Sequence, residues 1–136
     1  PDAPGGQAER RREIPPIRLA GGEHEVTQYG CAEVARAAAL DIWQPDITWG
    51  GGITAGLGIL ELAARAGVRG VHHRGGEIWG RQLIAATSCE DLAEVLPGSR
   101  DAPADGLWVG QPQPERGLLA VPDEPGFGVV LNEEYL

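Results

Sequence analysis

Three times in succession the chain passes from a short apolar stretch, through a polar or glycine-rich loop, into a segment of helical period. The first unit leads from Ile17-Arg18-Leu19 to a helix over about 27–38, in which Val34, Ala35 and Ala38 keep helical spacing. The second leads from Asp41-Ile42-Trp43-Gln44, past Trp49-Gly50-Gly51-Gly52, to a helix over about 53–66. Ile53, Leu57, Leu60 and Ala64 form its expected apolar stripe, and Gly67 stands where a C-terminal cap glycine belongs. The third leads from 68–71, through His72-His73-Arg74-Gly75-Gly76, to a helix over about 78–86. Strand, loop and helix in strict alternation predict parallel βα units, because parallel neighbours need a crossover between them. A short helix over 8–13 reads as the end of an earlier unit.

Three strands do not complete such an architecture. A (β/α) barrel needs eight strands and about 250 residues, and an open doubly wound sheet needs about five or six strands. The chain has 136 residues and no methionine, even at position 1. The expected fold class is therefore α/β, the C-terminal part of a larger chain: about three βα units over 1–88, then an irregular extension over 89–136. Pro97, Pro103, Pro112, Pro114, Pro122 and Pro125 leave room in that extension only for short strands, best placed at 106–109 and 128–131. Its apolar content favours a packed extension over a free linker.

Composition narrows the chemistry. All 11 basic residues are arginine, so a Schiff-base lysine and a phosphate-loop lysine are both excluded from this chain. A formal net charge of -9 argues against nucleic acid or an anionic membrane as partner. Arg10-Arg11-Arg12 reads as a solvated helix face. No apolar run reaches the ~18 residues of a membrane span, and the N-terminal stretch has no signal-peptide pattern. Cys31 and Cys89 lack metal-type or redox spacing, so two reduced thiols and a cytoplasmic location are expected.

In parallel α/β folds the functional groups collect on loops after the strands. Glu23-His24-Glu25, Pro45-Asp46 and His72-His73 each follow a predicted strand within a few residues, so all three converge on one mouth. Glu23 suits a hard cation such as Mg²⁺, with Glu25 as the competing carboxylate. Asp46 and His73 suggest a base whose tautomer a carboxylate fixes. Strand alternation allows only one of His72 and His73 to face the mouth. Glu94, set in Asp91-Leu92-Ala93-Glu94-Val95, is expected to be buried and to stay protonated. The runs Gly50-Gly51-Gly52 and Gly75-Gly76 match no phosphate-binding motif and read as turns that allow close approach.

GGEHEVTQYG, DIWQPDITWGGG, VHHRGG and PDEPGFGVVLN, in this order and spacing, resemble the C-terminal half of enolase-superfamily acid-sugar dehydratases. Within the mandelate racemase group, the likeness is to the L-rhamnonate dehydratase branch, over residues 14–136. The resemblance implies the end of a (β/α) barrel and a Mg²⁺ ligand at Glu23. It further implies a His73–Asp46 catalytic dyad, a catalytic carboxylate at Glu94 and a sugar-contacting His24. The implied reaction removes the proton α to a carboxylate and expels the β-hydroxyl, giving a 2-keto-3-deoxy acid from a small-molecule sugar acid. A homo-oligomer is expected, and the tail would pack towards the family's capping domain. The stretch Arg74-Gly75-Gly76-Glu77-Ile78-Trp79-Gly80 departs from the family pattern. Two alternatives stay open: a racemase or epimerase of the same superfamily, and a non-catalytic remnant.

Overall fold

The computed structural model describes residues 4–14, 16–87, 92–96, 107–111 and 113–135. Helix α1 (Pro4–Glu13) precedes strand β1 (Ala20–Gly21), helix α2 (Thr27–Arg36) and strand β2 (Ile42–Trp43). A single turn, α3 (Ile47–Gly50), leads into the long helix α4 (Gly52–Arg65), strand β3 (Arg69–Gly70) and helix α5 (Arg81–Ala86). Strands β4 (Trp108–Val109) and β5 (Val130–Leu131) and a closing 3-10 turn (Glu133–Tyr135) make up the tail. The first three strands form one parallel sheet in the order β1-β2-β3. Cys89 and the two residues before Leu92 lie outside the described residues, and Cys31 is a free, buried cysteine.

The sheet holds because both covering helices bury one face on it. Helix α2 buries Cys31 and Val34, three residues apart on one face. Helix α4 buries Gly56, Ile59, Leu60 and Ala63; of the expected stripe Leu60 is buried and Ile53 packs against the smaller cluster, while Ala64 is exposed. Leu57, expected inside, is exposed. The reason is Gly56. A methyl group there would stand 2.8 Å from the Leu83 side chain and 3.1 Å from Ile47, so the bare backbone is what lets α5 and α3 close on α4. The main core joins Ala8, Cys31, Val34, Ala39, Leu40, Trp43, Ile59 and Ala63, and a smaller cluster joins Ile47, Leu60 and Leu83. Burial pushes the Cys31 thiol up to about 11, with the nearby Glu25 charge adding to the shift. That thiol is a packing group.

Arg11 is not a solvated helix residue. Its Nε donates to Asp41 Oδ1 at 2.8 Å, and its Nη1 donates to the Ala38 carbonyl at 2.8 Å. The other Asp41 oxygen accepts the Leu19 backbone N–H at 3.0 Å. One carboxylate thus joins α1, the approach to β1 and the start of β2, and the guanidinium covers a carbonyl left open just beyond α2.

The tail returns to the domain. Strands β4 and β5 pair antiparallel, Trp108 opposite Leu131. Trp79 meets Trp108 and Phe127 edge-on, with ring centroids 5.4 Å and 4.8 Å away. Gln82 Nε2 donates to the Phe127 carbonyl at 2.9 Å. Offset and edge-on aromatic contacts add to simple burial, so the extension is anchored on the turn before α5 and on α5 itself. Among the described residues no helix is long and apolar enough to cross a membrane.

The Asp41 junction has a testable pH signature. The Leu19 N–H first, and Arg11 second, hold the Asp41 carboxyl below its ordinary range. A carboxyl lowered on folding stabilises the native state above its unfolded pKa, and that contribution is lost as the pH falls through the native value. Asp41→Asn is therefore expected to lower the Tm at pH 7, and the difference from the unaltered chain should close below pH ~4. Thermal melts followed by circular dichroism across that range are the check.

Candidate active site

The parallel register decides where the loop residues emerge. Ala20 pairs with Ile42 and Ile42 with Arg69; Gly21 pairs with Trp43 and Trp43 with Gly70. The ladder runs on past the strands: Gln44 N–H donates to the Gly21 carbonyl at 2.7 Å, Val71 N–H to Trp43 at 2.8 Å, and His73 N–H to Pro45 at 3.2 Å. Glu23, Asp46 and His73 therefore leave the sheet at the same edge, each within a few residues of one row of paired positions.

His73 is the centre. Its Nδ1 lies 3.1 Å from Glu23 Oε2 and 3.0 Å from Glu94 Oε2. Two carboxylate oxygens stand beside the same nitrogen, so Nδ1 is the ring position that faces acceptors and Nε2 is the one turned away from them. His24 Nε2 stands 3.5 Å from the second Glu23 oxygen, and its ring packs against Trp49 with centroids 5.2 Å apart. Four expected site residues, Glu23, His24, His73 and Glu94, are thus in one chain of contacts.

Asp46 sits differently. It is 6 % exposed, and its Oδ1 accepts from the Thr48 backbone N–H at 2.8 Å and the Thr48 hydroxyl at 2.6 Å, capping α3. Asp46 and His73 line one cavity of about 220 Å³ together with Thr48, Trp49, Arg74 and Glu77. No hydrogen bond joins the two directly among the described residues. The carboxylates that orient the imidazole in this structure are Glu94 and Glu23.

Glu94 is not the buried acid that its apolar neighbours suggest. Its side chain is 30 % exposed, and Oε2 also accepts the Arg74 backbone N–H at 2.7 Å. Two backbone features bring it there. Arg74 adopts the left-handed conformation, with φ 52°, which turns the chain directly after His73. Gly76 N–H donates to the Glu94 carbonyl at 2.8 Å, and a methyl group at Gly76 would lie 2.5 Å from Val95 and 2.8 Å from that carbonyl. The Gly75-Gly76 pair is a turn for close approach, here of the 92–96 segment. Arg74 Nη2 also pairs with Glu77 Oε2 at 2.6 Å on the cavity wall.

Several lining groups were beyond sequence reasoning. Trp49, Arg74, Glu77 and Trp79 reach the cavity only because α3 and the turn before α5 fold over it. The run of polar and aromatic side chains directly after His73 is the one signal that could have pointed to them.

As a Mg²⁺ site, Glu23 fits in kind and not in number. It is a half-exposed oxygen ligand at the mouth, yet no group of three or more metal-type side chains is assembled among the described residues. Mg²⁺ is commonly held by one or two carboxylates plus substrate oxygens and water. Glu23 can be one such carboxylate.

Similarity to known proteins follows the same lines. Residues 1–135 match the model of the enolase C-terminal domain-like family. The L-rhamnonate dehydratase of Saccharopolyspora erythraea is 35% identical over 140 residues, covering 98% of this chain and 36% of that protein. The crystal structure of L-talarate dehydratase from Polaromonas sp. JS666, complexed with Mg and L-glucarate, superposes with a TM-score of 0.78 at 26% identity, over 97% of this chain and 35% of that one. A racemase from Streptomyces coelicolor A3(2) with bound magnesium superposes at 0.81 and 25% identity, over 98% of this chain and 35% of that one. The chain spans about a third of the length of these relatives. With three parallel βα units carrying their polar loops at one edge, and a family match along nearly its whole length, the chain belongs to the enolase C-terminal domain-like family as a part of its (β/α) barrel.

Proposed function

We propose that this chain carries the proton-transfer side of a Mg²⁺-dependent acid-sugar dehydratase acting on an aldonate of the rhamnonate type. The observation that supports this reading best is His73, its Nδ1 held between the Glu23 and Glu94 carboxylates and its ring lining the cavity with Asp46. Likeness to dehydratases of sugar acids supports it further.

The chemistry asks for a positioned base. A proton α to a carboxylate is weakly acidic, because its removal adds charge to an anion. Glu23 would be among the groups that hold Mg²⁺, which when bound would supply positive charge to the substrate carboxylate. His73 Nε2 takes the C2 proton, and Glu94 on Nδ1 fixes the tautomer and stabilises the imidazolium that forms. The electron pair of the broken C–H bond forms the double bond of the enediolate. Collapse of that pair towards C3 expels the β-hydroxyl as water with a proton from His73, and the resulting enol becomes the 2-keto-3-deoxy acid. Asp46, fixed by Thr48, lines the same cavity as a further carboxylate beside the Glu94 and Glu23 that flank the imidazole. The cavity walls, Trp49, Arg74, Glu77 and Trp79, are apolar faces and hydrogen-bonding groups of the kind a polyhydroxylated chain meets in a binding site.

A racemase of the same superfamily would share the first step and return the proton to C2. Product analysis separates the two, since only the dehydratase yields a keto acid.

His73→Asn in the complete polypeptide that carries this chain is expected to lower kcat by about 10² to 10⁴, with Mg²⁺ affinity nearly unchanged. Asp46→Asn should cost less, because the imidazole and its Nδ1 partners stay in place. Steady-state kinetics on an aldonate panel, with Mg²⁺ titration in parallel, test both. Equal turnover by His73→Asn and the unaltered protein would overturn the assignment.

Association of copies belongs to the same reading. Among the described residues β1 and β3 are the outer strands of the sheet, and Leu118 and Val130 are exposed on the tail. The 136-residue chain produced alone is expected to sediment as a dimer or larger species. A concentration-independent monomer would contradict that.

A further inference from the structure

His72 lies next to the proposed base and has no role in the chemistry above. Its side chain is among the most deeply buried in the molecule, 1 % exposed, on the opposite side of the chain from His73. Its Nδ1 stands 3.2 Å from the Pro45 carbonyl oxygen. A carbonyl only accepts, so the contact calls for a proton on Nδ1. Desolvation holds the imidazole below its ordinary pKa, against smaller opposing effects of the Pro45 bond and the Asp46 charge. The second nitrogen, Nε2, is buried with no hydrogen-bond partner among the described residues. A buried polar atom left unpaired is a cost that a structural histidine does not usually carry.

What the bond holds is the spacing of two loops. The Pro45 carbonyl is also the acceptor of the His73 backbone N–H, at 3.2 Å, the last rung of the ladder between the β2 and β3 loops. Pro45 has no N–H with which to reinforce that rung. Asp46 follows Pro45 directly, and His73 follows His72 directly. One carbonyl oxygen with two lone pairs therefore receives both residues of the histidine pair and ties together the two loops from which Asp46 and His73 line the shared cavity.

We infer that His72 is a positioning residue, a side-chain clamp from the β3 loop onto the Pro45 carbonyl that sets the separation of Asp46 and His73. This rests on the dehydratase reading for its consequence in turnover, and on geometry alone for the clamp. Without the clamp the substrate still binds, through groups that do not move, while the base and Asp46 lose their alignment. Misplacement by about 1 Å can cost on the order of 10² in rate. The loss should fall on kcat, with KM little changed.

The experiment uses the complete polypeptide, with His72→Phe to remove the donor and keep an aromatic ring. His72→Asn is its partner, because the Asn amide nitrogen can take the place of Nδ1. A long-range ¹H–¹⁵N spectrum of the unaltered protein at pH 7 first reads the tautomer. The expected results are a neutral His72 protonated on Nδ1, a kcat lowered about 10- to 100-fold in His72→Phe with KM within about twofold, and recovery of most of that loss in His72→Asn. A His72 protonated on Nε2 or doubly protonated would overturn the clamp. So would a His72→Phe variant as active as the unaltered protein, or a His72→Asn variant as slow as His72→Phe. If His72→Phe does not fold, the tautomer and the His72→Asn kinetics still decide. Failure of the two readings looks different. No turnover of any aldonate with the Nδ1 proton in place would sink the dehydratase reading and leave the clamp standing. Turnover with the wrong tautomer would sink the clamp and leave the dehydratase.

Discussion

The two-rung parallel ladder that pairs Gly21 with Trp43 and Trp43 with Gly70 is the constraint on which the mouth depends. Parallel pairing brings successive loops out at the same end of a sheet, and here it does so with only a few residues between the last pairing and each polar side chain. Slipping any strand by one residue would turn its side chains to the opposite face, and His72 would then take the position of His73. The ladder is short, so its register is held from outside: by the Arg11–Asp41 pair at one end, by the packing of α2 and α4 across the sheet, and by the Pro45 carbonyl at the other end.

Charge at the mouth follows from this convergence. In a chain with a net charge of -9, Glu23 and Glu94 approach one imidazole nitrogen from two different loops. Carboxylates placed together repel one another, and a proton or a cation between them relieves that repulsion. In this structure His73 Nδ1 is the group that stands between them. The Arg74 backbone N–H, turned inwards by a left-handed residue, lends Glu94 a second donor. The strain at Arg74 and the absence of a side chain at Gly76 are therefore both tied to bringing the 92–96 segment within reach of the loop after β3.

Much of this was legible from residue order. The βα alternation and the three polar loops follow from period, a local rule; strand alternation allows only one of His72 and His73 at the mouth, and it is the family resemblance that implies His73. The buried stripe of α4 was read correctly at Leu60 and Ile53 and missed at Leu57 and Ala64, since a glycine carries no hydrophobic signal while Gly56 is where two elements close on the helix. Arg11 looked like one of three equivalent arginines; its partner Asp41 is 30 residues away in sequence, and no local pattern announces it. Glu94 looked buried among Leu92, Ala93 and Val95, yet the backbone turn at Arg74 gives it a donor and leaves it partly open to solvent. The pairing of Asp46 with Thr48 in place of His73 is likewise a matter of α3, a single turn too short to show a period.

The central claim is that a histidine held at this mouth removes the proton α to a carboxylate. Solvent deuterium reads that step directly. The complete polypeptide carrying this chain, incubated with Mg²⁺ and a panel of aldonates in D₂O, is followed by proton NMR. The account predicts loss of the C2 proton signal of one aldonate and appearance of a 2-keto-3-deoxy acid with deuterium at C3, where the enol takes up a proton from solvent. Every aldonate retaining both its C2 proton and its β-hydroxyl would contradict it.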